Sequence, residues 1–220
     1  MLRLQAFGVF RRKASLCVNL RKSQKGFIRG TTQPIRDKDE LKNFIAYYEV
    51  AHPNIRNYTM IILGLYTALR ISDVLNLKWK DVYYFEKDCF LDHLLIHEQK
   101  TGKVNEIALN SHVIKALDCY RKTRKPDAED YIFSKPTTPA HPLCRSQAYR
   151  IVRRAADETL CVTHVSCHSL RKTFGYHAWK QGISPVLLMD LYNHSSFYIT
   201  KRYLGISQDE RDSIFHTINF

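Results

Sequence analysis

Two side chains that can bind an anion lie one helical turn apart in CHSLRKTFGYHAWKQG, residues 167–182. His168 and Arg171 are three residues apart, so on a helix they share one face. They also lie near the start of the segment, where unpaired backbone amides and the helix dipole favour an anion. The pair indicates a phosphate or carboxylate site, although two such residues taken alone more often form a solvated surface pair.

A further cation ends the very apolar stretch NIRNYTMIILGLYTALR. The guanidinium of Arg70 is therefore expected at the edge of the core, where a buried arginine needs an anionic partner. Asp73 can be that partner in a purely structural ion pair. In the other interpretation, Asp73 orients the guanidinium, whose outer edge binds a phosphate through two parallel hydrogen bonds.

Lys100 lies in QKTGK, between two predicted strands, where most lysines are simply solvated. The Gly-Lys pair invites comparison with a nucleotide-binding phosphate loop. The GxxxxGK[ST] spacing is absent, however, and Val104 stands where that motif needs Ser or Thr. We therefore reject nucleotide binding by this loop.

The segment NHSSFYITKRYLG offers a histidine and a candidate nucleophile. His194 lies between two predicted helices, and Tyr203 follows nine residues later, beside Lys201 and Arg202. A tyrosine hydroxyl can attack an electrophile, but its pKa of about 10 keeps it protonated at neutral pH. Tyr203 would therefore need cations and a proton acceptor nearby, whereas an ordinary core or surface tyrosine needs neither.

A metal site is the alternative for CVTHVSCH, which contains Cys161, His164, Cys167 and His168. Structural zinc sites usually join two separated pairs of ligands. We therefore interpret these residues as thiols and histidines beside a helix start. The six cysteines show no CxxC pair, which indicates reduced thiols throughout.

The elements that must position these residues are mostly helical. The pattern of caps and apolar residues predicts helices at 37–50, 53–70, 72–79, 110–125, 145–160, 168–182, 184–192, 196–205 and 207–220. Strands at 89–99 and 104–110 would form a hairpin around Gly102, and a proline-rich loop would cover 134–142. The predicted fold class is α+β, mainly helical, with a small antiparallel sheet. No apolar run reaches the roughly 20 residues that cross a bilayer, so we expect no membrane contact.

The candidates, read in chain order, resemble the catalytic residues of the tyrosine recombinase (phage integrase) family: Arg70, Lys100, His168, Arg171, His194 and Tyr203. The resemblance is carried by TALRISDVLNLKWKDV, EQKTGKVNEIAL, HSLRKTFG and LYNHSSFYITKRYLG, and it covers residues 33–220. Each fragment is moderately specific, but six residue types in the same order are a strong match. The resemblance implies the catalytic-domain fold of these DNA breaking-rejoining enzymes.

The resemblance also implies how a scissile DNA phosphate is held. Arg70 and Arg171 would clamp its non-bridging oxygens, with Asp73 supporting Arg70. His168 and His194 would donate hydrogen bonds or manage protons.

The same resemblance assigns the two reacting groups. Tyr203 would attack the phosphate and form a 3′-phosphotyrosine, while Lys100 would protonate the departing 5′-hydroxyl. Because the phosphotyrosine conserves the energy of the broken bond, neither ATP nor a metal nor another cofactor is expected. The implied partner is double-stranded DNA, bound by a homotetramer when two sites are synapsed and by a monomer or dimer otherwise.

The sequence departs from the family pattern in three places. Ala68 and Asn193 each replace a usual glycine, and the helical core-binding domain that precedes most catalytic domains is not recognisable. The chain could be a short recombinase like those that invert fimbrial switches, a truncated integrase or an excised domain. A catalytically incomplete DNA-binding accessory protein is the alternative function, and a type IB topoisomerase is a related one.

The charge is concentrated at the N-terminus. Of the net charge of +13, nine lysines and arginines without any acidic residue lie in residues 1–36. We predict a flexible basic tail or linker at 1–32, which would lie along DNA phosphates, and the catalytic domain at 33–220. A mitochondrial transit peptide is the alternative for the tail. For a DNA recombinase, the expected location is the cytoplasm, at the nucleoid.

The last segment, SQDERDSIFHTINF, has an apolar stripe of Ile214, Phe215 and Ile218. The stripe could pack on its own domain. In related recombinases a C-terminal segment docks on the neighbouring protomer, so exchange between subunits is the second expectation.

Overall fold

The computed structural model describes residues 32–97, 104–135, 137–161, 164–206, 212–213 and 215–218. The α-helices are α1 (Lys38–Ala46), α2 (Ile55–Tyr66), α3 (Ile71–Leu75), α4 (Ser111–Arg124), α5 (Arg145–Thr159), α6 (Cys167–Lys180), α7 (Pro185–Tyr192) and α8 (Phe197–Leu204). The strands are β1 (Tyr83–Tyr84), β2 (Cys89–Phe90), β3 (His93–His97), β4 (Val104–Ala108), β5 (Ser134–Lys135) and β6 (Thr138–Pro142). The predicted tail and most of the predicted helix at 207–220 lie outside the described residues and stay predictions.

Short polar side chains cap several helices at the N-termini that the sequence predicts. Asp37 accepts hydrogen bonds from the amides of Asp39 and Glu40 at the start of α1. Asn54 and Asn110 cap α2 and α4 in the same way. Such caps satisfy amides that the helix leaves unpaired, which is why these boundaries were predictable.

The predicted helix through Arg70 is wrong, because α2 ends at Tyr66. The Thr67 hydroxyl donates to the Leu63 carbonyl (2.7 Å), and Ala68 has a left-handed backbone with φ of 54°. Such a conformation cannot continue a right-handed helix. The chain therefore turns at Ala68, and Arg70 occupies the N-cap position of α3 without a capping side-chain hydrogen bond.

The strands form three separate antiparallel pairs, β1–β2, β3–β4 and β5–β6. The prediction of one strand over 89–99 is wrong. Asp88 has a φ of 50°, and the tight turn there pairs Phe90 back onto Tyr83. The predicted proline-rich loop is likewise a hairpin, in which Ser134 pairs with Pro142. The hairpin of β3 and β4 is confirmed in the register His93 opposite Ala108.

Helix α2 lies at the centre of the main core and packs against α4 and α6. A Cβ at Gly64 would lie 2.6 Å from Leu170 Cδ1, so α2 and α6 cross too closely for a side chain there. A second cluster holds α6, α7 and α8 together and includes Tyr192, Leu204 and Ile206. Within the described ranges, no helix is long and apolar enough to cross a membrane.

Candidate active site

A cleft of about 510 Å³ lies between the α2–α3 corner and the start of α6. Its lining includes Arg70, His168 and Arg171, so the fold brings Arg70 to the His168–Arg171 pair, from which it is far apart in sequence. Arg145, the first residue of α5, lines it as well. The cleft therefore presents three arginines and one histidine to a ligand, which suits an anion.

Arg171 is held by the main chain of the α2–α3 corner. Its side chain is only 4% exposed, and Nη1 donates a hydrogen bond to the carbonyl of Ala68. Its guanidinium carbon lies 4.6 Å from the centre of the Tyr192 ring, and the Tyr192 hydroxyl donates to the Arg171 carbonyl (2.9 Å). These contacts fix the position of a cation that is almost entirely withdrawn from water.

Asp73 lies in the first turn of α3, the helix that Arg70 precedes. It is 5% exposed, and its backbone amide donates to the Arg70 carbonyl over 2.9 Å. A buried carboxylate beside the cleft fits the predicted supporting role. That the carboxylate itself orients the Arg70 guanidinium stays a prediction.

Tyr203 lies on the last turn of α8, among the other candidates. Its ring centre is 5.1 Å from that of His168 and 4.9 Å from that of His194, both edge to face. The hydroxyl oxygen is buried. Burial raises the pKa of Tyr203 to about 12, although the Arg171 and Arg70 guanidinium groups act in the opposite direction. Tyr198, the other tyrosine of α8, is 69% exposed.

Both histidines have lowered pKa values. Burial, followed by the charges of Lys172 and Arg171, lowers the pKa of His168 to about 4, although the residue as a whole is exposed to solvent. Burial and the Arg171 charge also lower the pKa of His194, whose Nδ1 lies 3.0 Å from Thr200 Oγ1. Desolvation and nearby cations both disfavour a charged imidazole, so each ring is neutral near pH 7.

Two residues near this cluster were missed by sequence reasoning. Lys172 is 5% exposed, and its Nζ lies 4.9 Å from the centre of the Tyr203 ring. Burial lowers its pKa. The apolar pattern of α6 does not distinguish Lys172 from a solvent-exposed lysine. For Arg145, the available signal was its position at the start of a basic helix.

Lys100 lies in the 98–103 segment, outside the described residues. Only the flanking strands β3 and β4 are described. Its assignment to the site therefore stays a prediction.

The metal alternative has no geometric support in the described part of the chain, where no three His, Cys, Asp or Glu side chains converge on a possible metal position. Burial raises the pKa of the Cys167 thiol to about 11. Cys89, Cys119, Cys144 and Cys167 are free thiols, as expected.

The sequence matches the family description "Phage integrase family" over residues 36–210. The chain belongs to the phage integrase family. The probable integrase/recombinase YoeC of Bacillus subtilis (strain 168) is 38% identical over 178 residues, which cover 80% of this chain and 91% of YoeC. The resemblance to tyrosine recombinases is thereby confirmed.

Solved structures confirm the phage integrase fold. XerA recombinase superposes with a TM-score of 0.66 at 22% identity, covering 86% of this chain and 68% of XerA. XerH site-specific recombinase, in a post-cleavage complex with a palindromic difH substrate, gives 0.61 at 22% identity, covering 80% of this chain and 50% of XerH. The predicted α+β class is confirmed with it.

Both departures from the usual glycines of this phage integrase fall where the backbone is left-handed, with φ of 54° at Ala68 and at Asn193. Glycine adopts that conformation without strain, and asparagine tolerates it better than alanine. The two substitutions therefore keep the turns that precede Arg70 and His194 and change only their conformational cost.

Proposed function

We propose that this chain is a site-specific recombinase that cuts and rejoins duplex DNA through a 3′-phosphotyrosine formed on Tyr203. The observation that carries the proposal is the environment of the Tyr203 hydroxyl. The hydroxyl oxygen is buried, the Tyr203 ring packs edge to face against His168 and His194, and the charges of Arg171 and Arg70 act to lower the Tyr203 pKa. Under this proposal, a nucleophile, proton acceptors and phosphate-binding cations share one site.

In the proposed reaction, Arg70 and Arg171 bind the non-bridging oxygens of the scissile phosphate. The Tyr203 oxygen forms a bond to phosphorus as the bond from phosphorus to the 5′-oxygen breaks. The Tyr203 proton passes to a neutral imidazole, for which His168 is the nearer candidate to the cleft, and Lys100 protonates the 5′-oxygen. Fixed cations stabilise the charge that develops on the phosphate more than that of the ground state.

Rejoining is the same path reversed, with a 5′-hydroxyl attacking the phosphotyrosine. The ester keeps the energy of the broken bond, so the proposed cycle uses neither ATP nor a metal ion. The DNA partner is supported by XerH, whose solved complex contains its DNA substrate. We extend the proposal to a homotetramer on synapsed DNA and to a cytoplasmic, nucleoid-associated location.

The alternative is a DNA-binding accessory protein that keeps the fold and does not complete cleavage. It would bind the same DNA and use Arg70 and Arg171 only as phosphate contacts. The presence of Tyr203 inside the phosphate-binding cluster favours the enzyme, because a binding module has no need of a buried nucleophile.

The test is covalent capture on a nicked DNA substrate that loses a short 5′-hydroxyl fragment after cleavage and cannot religate. The enzyme should form a protein–DNA adduct that survives denaturing electrophoresis, with EDTA present and ATP omitted. Specific DNA binding without any adduct would establish the accessory protein instead.

A further inference from the structure

A short extended segment, residues 32–36, crosses the surface of α6; we call it the N-terminal strap. The amide of Ile35 donates to Thr173 Oγ1 (2.9 Å), and the carbonyl of Ile35 lies 2.9 Å from His177 Nε2. The Ile35 side chain is completely buried. The strap is therefore fixed along the helix that also carries Arg171.

The strap ends on the helix that carries Tyr203. Nη2 of Arg36 donates a hydrogen bond of 2.7 Å to the carbonyl of Gly205. The guanidinium carbon also lies 5.2 Å from the centre of the Tyr176 ring on α6. Arg36 thus joins α6 to the C-terminus of α8, where a cation is favourable to the helix dipole.

The point of contact is the cap that shapes the last turn of α8. Gly205 has a φ of 72°, its amide bonds to the Arg202 carbonyl (3.3 Å), and the Ile206 amide bonds to the Lys201 carbonyl (3.1 Å). This is a Schellman motif. Tyr203 lies inside the turn that the motif closes, so a shift of the cap moves the Tyr203 backbone with it.

The other end of the strap also reaches the surroundings of Tyr203. Lys172 Nζ donates to the Thr32 carbonyl (2.7 Å) and lies 4.9 Å from the centre of the Tyr203 ring. A buried ammonium needs such an acceptor, since it has lost its water. The strap therefore contacts the surroundings of Tyr203 at two points. Lys172 connects it to the Tyr203 ring, and Arg36 connects it to the backbone turn that contains Tyr203.

We propose that Arg36 is a positioning residue for the nucleophile, acting through the Gly205 carbonyl to hold Tyr203 at its attacking position. This inference rests on the proposed function, because it presupposes that Tyr203 attacks DNA. Arg36 is not one of the residues that line the cleft, so the proposed effect is on geometry rather than on phosphate binding. Arg36 therefore affects the cleavage rate and leaves DNA affinity nearly unchanged.

The proposal is tested with Arg36→Ala, Arg36→Lys and the control Lys42→Ala, each measured for DNA binding and single-turnover cleavage. Lys42 is exposed on α1 and pairs with Asp39 at 3.5 Å, so its removal costs the same charge without touching α8. Arg36→Ala should cleave about tenfold or more slowly, because small misplacements of a reacting group are costly. Its Kd should match that of Lys42→Ala, and Arg36→Lys should recover most of the rate by donating to the same carbonyl.

A substrate with sulfur in place of the bridging 5′-oxygen distinguishes a defect in the nucleophile from a defect in protonation of the leaving group. A thiol has a much lower pKa than an alcohol, so sulfur departs without a proton. The defect of Arg36→Ala should persist on this substrate. Recovery there, or a wild-type cleavage rate on ordinary DNA, would overturn the proposal for Arg36. Absence of adducts with the wild-type enzyme would instead overturn the proposed function itself.

Discussion

Arg171 is a nearly buried cation that donates to a backbone carbonyl and lies over an aromatic face. A buried guanidinium is costly unless its charge is compensated. In a phosphate-binding site a bound phosphate supplies that compensation. The arrangement thus favours ligand binding, since an anion gains more from a cation that water does not already solvate.

The pKa of His168 is a direct check on the electrostatics of the site. In the DNA-free protein it should titrate at about 4, below the ordinary value of about 6.5. The unfolded chain therefore takes up this proton first, so the shift disfavours the folded state as the pH falls from about 6.5 and has no effect above it. NMR titration of the imidazole measures it, with assignment from the signal lost in His168→Gln. A midpoint at or above the ordinary value would contradict the account.

Sequence reasoning found most of the residues that the structure brings together around Tyr203, because these residues carry their chemistry in type and spacing. His168 and Arg171 share a helix face wherever that helix packs. Tyr203 lies on a short, capped helix that begins just after His194. Lys172 was missed because it follows Arg171 directly and therefore lies off the helix face that His168 and Arg171 share. Its burial against the Tyr203 ring depends on tertiary packing, which the sequence does not show.

At the scale of elements, the turn between α2 and α3 positions Arg70 and gives Arg171 a hydrogen-bond acceptor. The left-handed Ala68 ends α2 and directs its carbonyl to Arg171, while Asn193 separates α7 from His194. The sequence predicted the helices from their caps. It could not predict the end of α2, because every residue up to Leu69 is compatible with a helix, and the Ala68 carbonyl that Arg171 contacts is not visible in the sequence.

Ala68→Gly should be neutral or stabilising, unlike most glycine substitutions in a core. Relief of the left-handed conformation is worth about 1–2 kcal/mol for a non-glycine residue, which offsets the higher entropy of the unfolded chain, roughly 0.5–1 kcal/mol. The matched control is Ala155→Gly, a completely buried alanine inside α5. Urea denaturation measures both free energies of unfolding. An equal loss in the two variants would show that the conformation of Ala68 carries no strain.

At the scale of the whole molecule, the net charge of +13 is divided unevenly along the chain. The catalytic domain places a few arginines in one cleft, whereas bulk positive charge lies before the first described residue. We expect these two groups to act separately, with the cleft binding the scissile phosphate and the N-terminal segment contributing sequence-independent attraction.

Deleting residues 1–30 should weaken DNA binding mainly at low salt. The deletion removes eight lysines and arginines, and each phosphate contact contributes about 0.9 to the slope of log K against log salt concentration. The deletion leaves the N-terminal strap in place. Titrations at several salt concentrations should therefore give a flatter slope. An unchanged slope would mean that the segment does not touch DNA and would favour a targeting role.

The most direct test of the central claim is the identity of the residue bound to DNA. Tyr203→Phe and Tyr198→Phe each remove one hydroxyl from α8, and Tyr198 is 69% exposed. With the nicked substrate, Tyr203→Phe should form no covalent adduct while binding DNA with nearly unchanged affinity, and Tyr198→Phe should form adducts as the wild type does. Peptide mapping of the wild-type adduct should place the DNA on Tyr203. An adduct that persists in Tyr203→Phe would contradict the account and assign the nucleophile to another residue.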